Sequence, residues 1–195
     1  MMLESRLVSR LKQRDEAAFR EMMRTYQQRV FNLVFRMLGN KDEAEELAQE
    51  VFFTVFKSID SFRGESKLST WIYRIAVNHC KNRHKYLARR MYHASQPLDV
   101  VSERSTAGRD GGPTMSLQAQ ISEPDKVLMG LQLEEAIQRE IAALDEEQRL
   151  LVVLRDVQGL SYQEIATITS LAEGTVKSRL HRARMTLKDR LQKFM

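Results

Sequence analysis

Breakers are scarce in this chain, with three prolines and eight glycines in 195 residues. A fold of many short strands needs turn residues at close intervals, so an all-α protein is expected instead. Cysteine is nearly absent too; Cys80 stands alone, no internal disulfide can form, and the chain suits a reducing compartment. No apolar run is long enough to span a bilayer and the N-terminus has no signal-peptide core. The expected location is therefore cytoplasmic, without direct insertion into a membrane. A phosphate-binding loop is lacking, as is any nucleophile grouped with activating side chains, so the chain reads as a non-enzyme with no use for ATP. His79, Cys80 and His84 come nearest to a metal set. Residues 79 and 80 point different ways on a helix and a fourth ligand is missing, so neither a metal nor another cofactor is expected.

Positive charge is what the chain has to spare: +5 overall, with a sequence pI near 9.4. Its distribution says more than its total. Residues 63–90 hold eight Lys or Arg against one carboxylate, Glu65, and residues 172–195 hold seven against two. Acidic segments at 41–60 and 123–147 separate them. Two separated basic surfaces imply two contacts with one long polyanion.

From Asp15, apolar residues at steps of three and four (Phe19, Met22, Met23, Tyr26, Val30, Leu33, Val34, Met37) predict one long helix that stops before Gly39. Asn40, followed by Glu43, offers a cap for a second helix with the buried line Leu47, Val51, Val55 and Ile59. Its other face is acidic, with Glu45, Glu46, Gln49 and Glu50. On composition alone a solvated face is the usual meaning of such a run. Ser61–Ser69 reads as a loop, and Ser69 or Thr70 as the cap of a third helix reaching about Arg90. The stretch SFRGESKLSTWIYRIAVNHCKNR, residues 61–83, interleaves rings (Phe62, Trp71, Tyr73, then Tyr86) with Arg63, Lys67, Arg74, Lys81 and Arg83. Rings among cations can stack unpaired bases while neutralising the strand that carries them. The same residues also fit the buried face of an amphipathic helix.

Around Tyr92–Glu123 the periodicity fails, and a flexible linker is expected. Helical spacing resumes near Pro124 with Val127, Leu128, Leu131, Leu133, Ile137 and Ile141. Asp145 caps the next helix, which Gly159 ends. Ser161 with Glu164 forms a capping box opening a short helix, and after a turn at about Thr169–Glu173 a basic helix follows with the buried line Val176, Leu180, Ala183 and Leu187. A short helix, a turn and a basic helix in that order make a helix-turn-helix. Thr175, Lys177, Ser178, His181 and Arg182 fall off the buried line, where they can reach bases and phosphates; Arg184 adds to the same basic run. A generic helical hairpin with a cationic surface is the plainer alternative.

Together these segments resemble the extracytoplasmic-function (ECF) sigma factors, small sigma-70 relatives that keep only the σ2 and σ4 domains. EAEELAQEVF (Glu43–Phe52) is similar to the family's polymerase-clamp motif, with Glu46 where Asp is usual; residues 61–82 resemble its melting and minus-ten segment; GLSYQEIA followed by EGTVKSRLHRAR resembles the σ4 helix-turn-helix. The resemblance implies a σ2 helical bundle over residues 1–91, a linker over 92–123 and σ4 over 124–195. It implies docking of Glu45, Glu46, Gln49 and Glu50 on the β′ clamp of core RNA polymerase, with the β flap as a further contact. By the same resemblance Phe62, Arg74 and Asn78 line a pocket for a flipped base of the minus-ten element. Lys67, Trp71, Lys81 and Asn82 lie alongside. Thr175, Lys177, Ser178, His181, Arg182 and Arg184 would read the minus-thirty-five element of promoter DNA. A cognate anti-sigma factor is a further implied partner. Ala172 stands where many relatives have Pro, which removes one pre-organising residue from the start of the last helix.

Two other classes compete. A self-sufficient helix-turn-helix regulator explains residues 145–190 but leaves the ring-and-cation stretch idle. A recombinase would need catalytic groups that the sequence does not supply.

Overall fold

The computed structural model describes residues 2–94 and 136–192, and every regular element among them is helical. The N-terminal half comprises α1 (Met2–Lys12), α2 (Glu16–Leu38), α3 (Lys41–Ser58), a 3-10 turn at Ile59–Ser61, and α4 (Leu68–Ala94). In the C-terminal half, residues 136–142 form the described part of α5. It is followed by α6 (Glu146–Val152), which continues into a π-helical turn at Val153–Val157, then α7 (Tyr162–Thr169) and α8 (Glu173–Leu191). None of the described helices is long and apolar enough to cross a membrane.

Local chemistry sets most of the boundaries. The Asp15 carboxylate accepts from the Ala17 and Ala18 N–H groups at the start of α2, and Gly39, at φ 77°, ends it by donating its N–H to the Phe35 carbonyl. Asn40 accepts from the Glu43 N–H and opens α3. Ser161 and Glu164 form the reciprocal capping box of α7. Ala172 precedes α8 with no side-chain cap.

α4 departs from expectation at both ends. Its first N–H groups are not served by Ser69 or Thr70; the Leu68 N–H donates to the Glu4 carboxylate at 2.5 Å, so α1 caps α4 from across the fold. Helix α1 was not foreseen, although Leu7, Val8 and Leu11 sit at helical spacing and pack on the core. At its far end α4 runs through Ala94, three residues into the expected linker. The rest of that segment, and the restart of helical spacing near Pro124, lie outside the described residues.

One core serves both halves. Leu33, Val51, Ile72 and Ala76 belong to the same buried cluster as Leu151, Leu154, Ile165, Val176 and Leu180. Polar contacts span the join. Arg149 of α6 donates to the Met37 carbonyl at 2.7 Å. Arg36 donates to the Gln138 side chain. Gln158 donates to the Arg29 carbonyl at 3.2 Å and accepts from the Tyr73 hydroxyl at 3.4 Å.

Candidate nucleic-acid interface

Ile72, Tyr73, Ala76, Val77 and Cys80 turn one side of α4 into the core. Lys67, Trp71, Arg74, Asn78, Lys81 and Asn82 recur at three and four residues on the opposite side, with Lys85 one turn further. Six of the seven residues expected at the minus-ten site are thus brought to one stripe. Phe62 is the exception, 5% exposed and tilted against Trp71 at 5.4 Å between ring centroids. Tyr73 is buried outright. Of the four rings in the stretch, two are core, Trp71 is half-buried and Tyr86 is exposed. Phe62 therefore buttresses Trp71 instead of meeting solvent.

Burial also settles the chemistry of Cys80. Desolvation pushes its thiol up to about 12, leaving it protonated and unreactive in the fold. Among the described residues no group of His, Cys, Asp and Glu could hold a metal ion.

The acidic side of α3 divides in two. Glu45 and Gln49 face α2, where they share a shallow cleft with Met23, Gln27, Phe31 and Phe52. Glu46 and Glu50 face α4 and are bridged by Arg83, at 3.3 Å and 2.9 Å. His79 joins them, with Nδ1 3.6 Å from Glu50 and Nε2 3.0 Å from the Thr54 hydroxyl. Arg83, which the sequence groups with the strand-neutralising cations of its stretch, instead pairs with Glu46 and Glu50 of α3. Its spacing from the buried residues of α4 places it toward α3, but only the packing of the two helices reveals which carboxylates it meets.

In the C-terminal half, Val176, Leu180 and Ala183 seat α8 against α6 and α7. Lys177, Ser178, His181 and Arg182 are exposed along its outer face, with Thr175 half-buried beside them. Lys177 pairs with Glu173 at 2.7 Å and lies over the Tyr162 ring, 5.3 Å from its centroid. Ser178 donates to the Thr175 carbonyl within the helix. Arg184 stands apart from this face; it forms a two-pronged ion pair with Asp156 of the π-helical turn.

Two cationic helices, one in a helix-turn-helix and one backed by an acid-faced helix, place the chain in the class of helical proteins that bind nucleic acid. Residues 22–99 match the family model for Sigma-70 region 2, and residues 134–187 match that for Sigma-70 region 4. The chain is 34% identical to the ECF RNA polymerase sigma factor SigW of Bacillus subtilis, over 98% of both proteins. It is 36% identical to the ECF RNA polymerase sigma-E factor of Escherichia coli, over 95% of this chain and 93% of that one. It belongs to the ECF sigma factors, alternative sigma factors that direct transcription initiation. Its fold is shared with CnrH, solved in complex with the cytosolic domain of CnrY (TM-score 0.67, 18% identity, 97% of each chain). It is shared also with the sigma factor RpoE of Bartonella quintana, solved with the anti-sigma factor NepR (TM-score 0.65, 22% identity, 89% of this chain and 96% of that one).

Proposed function

We propose that the chain is a non-catalytic, dissociable initiation subunit that docks on the β′ clamp of core RNA polymerase through α3 and carries it to promoters through α4 and α8. The observation that carries this reading is the single stripe on α4, where cations alternate with Trp71 and the amides of Asn78 and Asn82 over a rigid apolar back. Cations follow a strand; a ring and an amide handle an unstacked base. Arg74 and Asn78 line the pocket for the base that has left the stack, Trp71 forms its wall with the buried Phe62 supporting it from behind, and Lys67, Lys81 and Asn82 track the strand. Capture of the base offsets an unstacking cost of about a few kcal/mol, which joins recognition to melting. Thr175, Lys177, Ser178, His181 and Arg182 of α8 read the upstream duplex through the major groove, and Arg184 supports the helix from Asp156.

On this reading residues 1–91 are σ2, 92–123 the linker and 124–195 σ4, with the β flap receiving σ4. Polymerase holds both DNA contacts at fixed separation and makes one bivalent ligand of them. The work is cytoplasmic. A cognate anti-sigma factor is a further partner, in keeping with the complexes in which two proteins of this fold were solved.

Reconstituted holoenzyme tests the assignment. Asn78→Ala is expected to lower transcription from an enriched cognate promoter about tenfold while leaving core polymerase binding unchanged; equal loss of both would make the residue a support of the fold. Glu46→Lys with Glu50→Lys is expected to abolish core binding. Normal binding by that variant would remove α3 from the dock and favour the self-sufficient regulator.

A further inference from the structure

Arg83 leaves α4 on the side that meets α3, away from the stripe that carries Lys67, Trp71, Arg74 and Asn78. Its side chain is 18% exposed, so a strand following the stripe does not reach it. Its guanidinium meets two carboxylates that stand one turn apart on α3. Nη1 lies 3.3 Å from Glu46 Oε2 and Nη2 lies 2.9 Å from Glu50 Oε1. The planar fork of an arginine can serve two acceptors at once, which the point charge of a lysine does not.

Left alone, Glu46 and Glu50 would repel one another at this spacing, and each long side chain would sample several rotamers in water. The bridge limits both without covering them, since the two carboxylates remain 64% and 44% exposed. A second prop stands behind Glu50. The Thr54 hydroxyl donates to the Glu50 carbonyl at 2.9 Å and therefore accepts from Nε2–H of His79 at 3.0 Å, which sets the imidazole with Nδ1 3.6 Å from Glu50 Oε2. Ion pairs this open to water add little to stability. What the cluster fixes is the direction in which two exposed carboxylates point.

We propose that Arg83 is a positioning residue for polymerase docking: from α4 it holds Glu46 and Glu50 at one spacing and one aim on the outer face of α3, ready to accept from basic side chains of the partner. This rests on the dock assigned to α3 above. Charge and aim make opposite demands here, because Arg83 cancels one of the two negative charges that it orients. The sign of the effect of removing it therefore tells the two apart.

The test titrates the full-length chain, labelled with fluorescein at its N-terminus, with core RNA polymerase and reads anisotropy. Arg83→Met keeps the apolar stem and removes the fork. Its affinity for core is expected to fall about fivefold, the effect of ordering one or two long side chains only on docking. Arg83→Lys, a charge without a fork, is expected to lose about threefold, and it carries the same test should Arg83→Met fail to fold. Glu46→Gln with Glu50→Gln is expected to bind core more weakly from the outset; adding Arg83→Met to that pair should change affinity by less than about 1.5-fold, because no carboxylates are left to aim. Holoenzyme assembled with Arg83→Met at saturating concentration should bind its enriched promoter DNA as the wild type does. Unchanged or tighter core binding by both Arg83 variants, beside a weakened Gln pair, would overturn the positioning role and leave the dock on α3 standing. Normal binding by the Gln pair would remove the dock, and the proposal with it. An equal loss from Arg83→Met in both backgrounds would make Arg83 a direct contact or a support of the fold. Weakened promoter binding by the assembled holoenzyme would return Arg83 to the strand, and either result would overturn the proposal.

Discussion

The two basic helices carry similar charge but are presented differently. The outer face of α8 is open, and Lys177, Ser178, His181 and Arg182 meet solvent. The stripe of α4 is engaged by the chain's own oxygen atoms, from Glu164 and Thr167. Charge alone marks both helices as polyanion surfaces and does not say which is ready to bind. A helix-turn-helix reads intact duplex and needs only a groove. On the reading proposed above, α4 is a surface for unstacked bases and has no ligand until the duplex opens.

The largest effect that could break this comparison concerns the shared core. Leu180→Ala, beneath α8, and Ile72→Ala, beneath α4, are each expected to destabilise the chain by about 3 kcal/mol. In urea, circular dichroism and Trp71 fluorescence should follow the same single transition in both variants. Two separate transitions would mean that the halves fold independently and that α4 is covered only by chance encounters. Next in size is the contrast in DNA binding by the free chain. Arg182→Ala should weaken duplex binding about tenfold, or about 1.4 kcal/mol, as for loss of a base or phosphate contact. Arg74→Ala should change it by less than about twofold in the same titration, because its end group is already engaged.

Acid sharpens the comparison further. Glu164 has its carboxyl depressed from an ordinary 4.5 to about 2, so the stability it contributes is full above pH 4.5 and fades as pH falls towards 2. The stability difference between wild type and Glu164→Gln should therefore shrink across that window, read by Trp71 emission during urea titrations at fixed pH. A constant difference would mean that the Lys67 pair is not formed. The smallest effect lies within α8 itself. Arg184→Ala should alter duplex affinity by less than about twofold, since Asp156 already takes both prongs of its guanidinium, whereas Arg182 on the open face is the stronger determinant. Equal losses at the two arginines would return Arg184 to the reading face.

Much of this was legible in the residues. Asn40, Asp145 and Ser161 act as caps where their side chains fall beside the first free N–H groups, and Gly39 and Gly159 stop helices at φ 77° and 72°. The stripe on α4 and the outer face of α8 follow from counting at helical spacing. Phe62 did not follow, because a ring in a loop has no period to show which side it takes; contact with Trp71 puts it in the core. Helix α1 was overlooked despite its spacing, and with it Glu4, the carboxylate that caps α4 from 64 residues away.

By itself, then, the sequence determined most of the helices, the local caps of α3, α6 and α7, the two basic faces and the family, because these depend on residues within a few turns of one another. Tertiary structure alone decided which charges are spent. Arg83 on Glu46 and Glu50, Arg184 on Asp156 and Lys67 on Glu164 are pairings across 28 to 97 residues of chain. Such pairs arise only where packing of a common apolar core brings distant helices within a few ångströms, and no local spacing encodes that approach.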